Sequence, residues 1–160
     1  RVDMELTLRP GDGEKLYQKF ALRFAQDDQY QTAISFRPHE SVLKVDRKFS
    51  GSRRAIIHQR RSLVDSKNGE LKLRVILDRF SAEVFVNDGE QVMTATMYTD
   101  QSADGISFFA DGVVNMDVVK YDLASEGQSV SGKDSLSEEQ TAKMRENGEP
   151  EVKEYGEIAV

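Results

Sequence analysis

The sequence predicts an all-β protein, a two-sheet antiparallel β-sandwich of jelly-roll or lectin-like type over residues 1–124 with an acidic C-terminal tail. Three observations lead there. About ten short apolar runs recur at roughly 8–12-residue spacing, several with strict period-two alternation, and Gly, Pro and Asp cluster between them. No segment before residue 125 carries the 3.6-residue apolar period of a helix, which argues against a βαβ sheet.

Asp3–Leu8 alternates and meets the turn cluster Pro10-Gly11-Asp12-Gly13. Leu16–Phe24 follows, with Leu16, Phe20, Leu22 and Phe24 on one face, and Asp27-Asp28 ends it. Gln31–Phe36 alternates again, and Pro38-His39 turns the chain into Ser41–Val45. Arg54–Gln59 is the next expected strand. Leu71, Leu73, Val75 and Leu77 then form the cleanest inward face in the chain. Ala82–Val86 and Gln91–Tyr98 should pair as a hairpin, because Asp88-Gly89 supplies the positive φ of a type I′ turn. Ile106–Phe109 and Val113–Tyr121 complete the set.

At Ser125 the composition changes. Residues 125–132 have the Ser/Gly content of a linker. Residues 125–160 hold nine acidic and four basic side chains, a net −5 out of the chain's −6, so the sandwich is close to neutral. Ser137-Glu138-Glu139-Gln140 has capping-box spacing, which allows a short helix over 138–147; a disordered acidic tail is the alternative.

Composition removes several chemistries. There is no cysteine, hence no disulfide, thiol nucleophile or thiolate metal site. His39 and His58 are too few and too far apart in sequence to suggest a metal centre, and no cofactor is expected. No apolar run approaches the roughly 20 residues of a membrane-spanning helix, and no membrane partner is expected. Arg53-Arg54 and Arg60-Arg61 form a basic cluster, but no aromatics interleave them, so an edge strand guarded by charge is preferred to a nucleic-acid surface. The start at Arg1 reads as a cut or processed end. The expected compartment is cytoplasmic, with secretion as the alternative.

The run Asp78-Arg79-Phe80-Ser81-Ala82-Glu83-Val84-Phe85-Val86-Asn87-Asp88-Gly89 resembles a segment of the C-terminal β-sandwich of glycoside hydrolase family 32, the invertases, levanases and sucrose-6-phosphate hydrolases. Lys44-Val45-Asp46-Arg47-Lys48-Phe49-Ser50-Gly51, Gly69–Arg74, Asp104–Ala110 and Val118–Leu123 are similar to further family segments in the family order. Phe80 departs from the pattern, which more often has Ser there. The resemblance implies a parent enzyme whose active site lies on a five-bladed β-propeller and whose chemistry is retaining hydrolysis of β-fructofuranosides by two carboxyls. The family's catalytic signatures, Asn-Asp-Pro-Asn, Arg-Asp-Pro and Glu-Cys, do not occur here, so no catalytic residue is carried over. The implied partners are the absent propeller, fructosides, and a second copy of the chain in a homo-oligomer.

Asp46, Arg47, Asp78, Arg79 and Glu83 are the candidate carbohydrate-binding residues. Charges this dense beside apolar strands need partners, so one reading is an ion-pair network joining two strand regions. The other is a sugar site, since a carboxylate and a guanidinium accept from and donate to neighbouring hydroxyls. Asp88 and Glu90 flank a turn glycine and read as solvated turn residues rather than a second glycosidase pair.

Overall fold

A computed structural model of the chain describes residues 1–11, 13, 15–52 and 57–124, and the backbone of 157–159. Period-two burial is clearest over residues 4–8, 71–77, 82–86 and 113–118. The strands are β1 (Val2–Pro10), β2 (Lys19–Gln26), β3 (Thr32–Arg37), β4 (Val42–Asp46), β5 (Gln59–Leu63), β6 (Leu71–Leu77), β7 (Ser81–Val86), β8 (Gln91–Thr96), β9 (Gly105–Asp111), β10 (Val113–Asp122) and β11 (Glu157–Ala159). They form two antiparallel sheets, ordered β11-β10-β1-β6-β7-β8 and β5-β4-β3-β2-β9. The expected helix over 138–147 lies outside the described residues.

The inner faces supply one core. Leu71, Leu73, Val75 and Leu77 are all buried, as their alternation requires, and face Met4, Leu6 and Leu8 of β1 on the same sheet. Phe20, Leu22, Phe24, Ile34, Phe36 and Leu43 answer them from the other sheet. Each such side chain contributes about 1.5–3 kcal/mol by leaving water. Two boundaries differ from expectation. β2 begins at Lys19 rather than Leu16, because Tyr17 turns inward before it and donates its hydroxyl to the Gly69 carbonyl at 2.9 Å. The strand paired with β4 is the polar Gln59–Leu63, not Arg54–Gln59. It is an edge strand, so it needs few apolar residues, and its Arg60 and Arg61 blunt that edge.

The β7–β8 reversal occurs where expected but with different geometry. Val86 pairs with Gln91, leaving a four-residue loop in which Asn87, Asp88 and Gly89 all have positive φ (47°, 60° and 93°). A two-residue turn at Asp88-Gly89 would leave Asn87 in the ladder. Instead the Asn87 amide donates to the Asp65 carbonyl at 3.0 Å, and its side-chain oxygen accepts the Lys72 N–H at 3.3 Å.

Candidate functional site

The five candidate residues occupy three places. Asp46 ends β4 and Arg47 follows it at the open side of the sandwich, where β5 and β8 are the neighbouring edges of the two sheets. Asp46 accepts from the Lys48 N–H at 3.0 Å and the Gln59 amide at 2.7 Å, and pairs with Lys44 at 3.4 Å. Burial pushes its carboxyl up, but these donors and the Lys44 charge outweigh that and hold it below the usual aspartate value. Arg47 crosses to the other sheet. It donates to the Thr96 carbonyl at 3.0 Å and to the Thr96 hydroxyl, gives its Nε–H to the Ile57 carbonyl at 3.2 Å, and lies 6.0 Å from the centroid of Tyr98.

Polar contacts run the length of this side. Asn87 reaches Asp65, Gln91 donates to the Leu63 carbonyl at 2.6 Å, and Ser62 bonds the Gln91 side chain. Beyond Arg47, Ser50 offers its carbonyl to the Tyr98 N–H at 2.8 Å and the Thr99 hydroxyl at 2.9 Å. Four exposed apolar side chains belong to segments at the Arg47 end of this seam: Phe49, Ile57, Phe80 and Tyr98, at 56%, 65%, 55% and 45% exposure. Hydrogen bonds tie their segments together, since Met97 donates to the Phe80 carbonyl, Tyr98 to the Ser50 carbonyl and Arg47 to the Ile57 carbonyl.

Asp78 and Arg79 lie elsewhere, on the rim of a cleft of ≈ 570 Å³ where the two sheets part at one end. Asp78 pairs with Arg1 at 2.7 Å and accepts the Arg79 N–H at 2.8 Å. That backbone bond, helped by the Arg1 charge, holds its carboxyl below the ordinary value against the opposing effect of desolvation. Among the described residues, the Arg79 guanidinium has no hydrogen bond or ion pair, and the Asp104 carboxylate on the same cleft has none either. Ala25, Leu77, Met97 and Ile106 form the apolar wall. Asp100, also on the rim, is engaged by the Ser102 N–H and hydroxyl at 2.9 and 2.8 Å, which lower its pKa. Glu83 stands apart on the outer face of β7, opposite Ile76 and Thr94.

The structure therefore does not gather the five into one network. It joins Asp78 to Arg79, joins Asp46 and Arg47 to other partners, and leaves Glu83 exposed. The cleft residues Ala25, Met97, Asp104 and Ile106 were not singled out from sequence. One local signal existed for them: Asp104-Gly105 opens β9, and Gly105 lies so close to Gln26 that an added Cβ would sit 2.6 Å from its carbonyl oxygen. That contact borders a register shift in the β2–β9 pairing, where Ala25 takes a left-handed φ of 45°.

A family model described as the C-terminal domain of glycosyl hydrolases family 32 matches residues 1–125. The chain belongs to glycoside hydrolase family 32. Its match to that family is to the C-terminal domain. A levanase from Bacillus sp. (strain L7) is 28% identical over 116 residues, 69% of this chain and 12% of the levanase. A sucrose-6-phosphate hydrolase from Staphylococcus xylosus is 36% identical over 95 residues, 58% of this chain and 19% of that enzyme. The chain thus spans less than a fifth of these family 32 relatives. Among solved structures, an exo-inulinase from Aspergillus awamori aligns with TM-score 0.61 at 20% identity, over 73% of this chain and 24% of that one. A sucrose-6-phosphate hydrolase from Lactobacillus gasseri aligns with TM-score 0.60 at 24% identity, over 73% and 24%. At those identities the alignments bear on the fold alone.

Proposed function

We propose that this family 32 domain is a non-catalytic module of a β-fructofuranosidase-type enzyme acting on sucrose, sucrose 6-phosphate or fructan, and that it stabilises the catalytic propeller by docking against it. The observation that carries the reading is the concentration of Phe49, Ile57, Phe80 and Tyr98 at one end of the seam, each about half exposed or more. Large apolar side chains left exposed on neighbouring segments of a sandwich that has its own buried core mark a surface that another body covers. Arg47 and Lys48 add the amphipathic character of an interface, packing beside Tyr98 and Phe49. More than four-fifths of each curated relative lies outside the matched region, which leaves ample partner for that surface.

The test is a triple substitution, Phe49→Ser, Phe80→Ser and Tyr98→Ser, made both in the full-length fructosidase and in the present chain. The full-length enzyme should melt earlier and inactivate faster, while the chain alone keeps its stability. An unchanged full-length melting temperature would remove the docking surface. A dimer of the isolated chain that the substitutions dissolve, with full-length stability unchanged, would move the surface to a homo-oligomer contact.

A further inference from the structure

We propose that the cleft between Arg79 and Asp104 is a binding site for one neutral sugar residue. The proposal does not depend on the docking role, because the Phe49–Tyr98 surface and the cleft are built from different side chains. At ≈ 570 Å³ the cleft falls within the range of small-molecule sites and accommodates a single monosaccharide ring.

The chemistry of the lining selects the ligand. A guanidinium only donates hydrogen bonds and a carboxylate only accepts them. Arg79 and Asp104 are the charged rim side chains without a hydrogen bond or ion pair among the described residues, whereas Asp78 is held by Arg1 and Asp100 by Ser102. A ligand that satisfies both must accept from one and donate to the other. Hydroxyl groups do both, and a polyol presents several of them. A purely apolar ligand would bury the two charges unpaired, which is costly. A phosphorylated sugar would bring its charge beside Asp104, a carboxylate that has no cation paired with it among the described residues. The wall of Ala25, Leu77, Met97 and Ile106 offers apolar surface to the C–H face of a sugar ring. The irregular β2–β9 pairing beside it, with Ala25 left-handed, opens the sheet edge at this point.

The experiment is amide NMR titration of the 160-residue chain with D-fructose, D-glucose and fructose 6-phosphate. A dozen heavy atoms at ordinary ligand efficiency correspond to a dissociation constant on the order of millimolar. Saturable shifts with either neutral sugar, centred on Ala25, Arg79, Met97 and Ile106, are the expected result. Arg79→Gln and Asp104→Asn should each weaken binding about tenfold or more, since each removes a charged hydrogen-bond partner. Both positions are exposed, so the variants should fold as the parent does. Glu83→Gln, on the outer face, should bind unchanged. Shifts that never saturate, preference for the phosphate, or equal binding by the Arg79 and Asp104 variants would each overturn the site.

Discussion

Arg47, just after β4, donates to both the carbonyl and the hydroxyl of Thr96 at the end of β8, so one guanidinium joins two different sheets. The same side chain holds the Ile57 carbonyl, which fixes the entry to β5. Its role is mechanical, and its value lies in the planar fork of donors.

Arg47→Ala should therefore lower unfolding stability by roughly 0.5–1.5 kcal/mol, the net worth of hydrogen bonds whose acceptors on Thr96 and Ile57 stay open to water. Arg47→Lys should recover little of that, since an ammonium cannot span Thr96 and Ile57 together. Urea denaturation with an unchanged m-value would measure both. Full rescue by Lys would show that charge, and not fork geometry, is what matters.

Gly51 and Gly89 should respond differently to alanine. Both have positive φ, at 144° and 93°. A Cβ at Gly51 would lie 2.4 Å from the Tyr98 carbonyl oxygen, against backbone that is itself bonded to Ser50, whereas nothing lies within 4 Å at Gly89. Gly89→Ala should cost about 1–2 kcal/mol from backbone strain alone. Gly51→Ala should cost more and disturb the Ser50–Tyr98 pairing, visible as loss of amide protection at Tyr98. Equal melting temperatures for the two variants would contradict the close approach.

Acid should weaken the fold. Asp46, Asp78 and Asp100 all have carboxyls held below their ordinary value in the folded state. A lowered folded pKa means that the unfolded chain takes up protons first as pH falls. Stability is thus fully present above about pH 4 and declines through the folded-state values below it. Melting curves from neutral pH to about pH 2.5 should show this decline. Asp46→Asn, the least exposed of the three, should flatten part of it.

Alkali should act through Tyr17. Burial pushes its phenol well above the ordinary tyrosine value, and its hydroxyl donates to the Gly69 carbonyl. A raised folded pKa gives stability that is complete below the unfolded value and is lost as pH rises above about 10. Tyr17→Phe should cost about 1 kcal/mol near neutrality through the lost bond, and should lessen the alkaline decline. Equilibrium unfolding of both proteins at pH 7 and near pH 10.5 checks the sign; a parallel decline in the two would put the alkaline sensitivity elsewhere.

The strands with two-sided character were legible because burial imposes a period of two that no other structure reproduces. Leu71–Leu77 carries that period at every inward position, with Ile76 alone apolar on the other face, and is β6 to the residue. β5 was misplaced by five residues for the converse reason: an edge strand is chosen by its register with β4, not by its own apolarity. The Asp88-Gly89 signal located a reversal correctly, but the loop length depended on Asn87, whose side chain bonds Asp65 and Lys72 across the sheet sequence. Asp78 and Arg79 were legible as a unit because their contact is local. Their separation from Asp46, Arg47 and Glu83 was not, because it depends on which strand lies beside which.

The amino-acid sequence by itself determined an all-β sandwich, the family 32 motifs in their order, and the missing catalytic signatures, since alternation and short motifs are local properties of the chain. Only the tertiary structure decided that Arg47 spans the two sheets, that Glu83 faces away from the other candidates, and that Arg79 shares a cleft with Asp104. Those relationships join residues tens of positions apart, and strand order and register, which set such distances, are fixed only when both sheets close over one core.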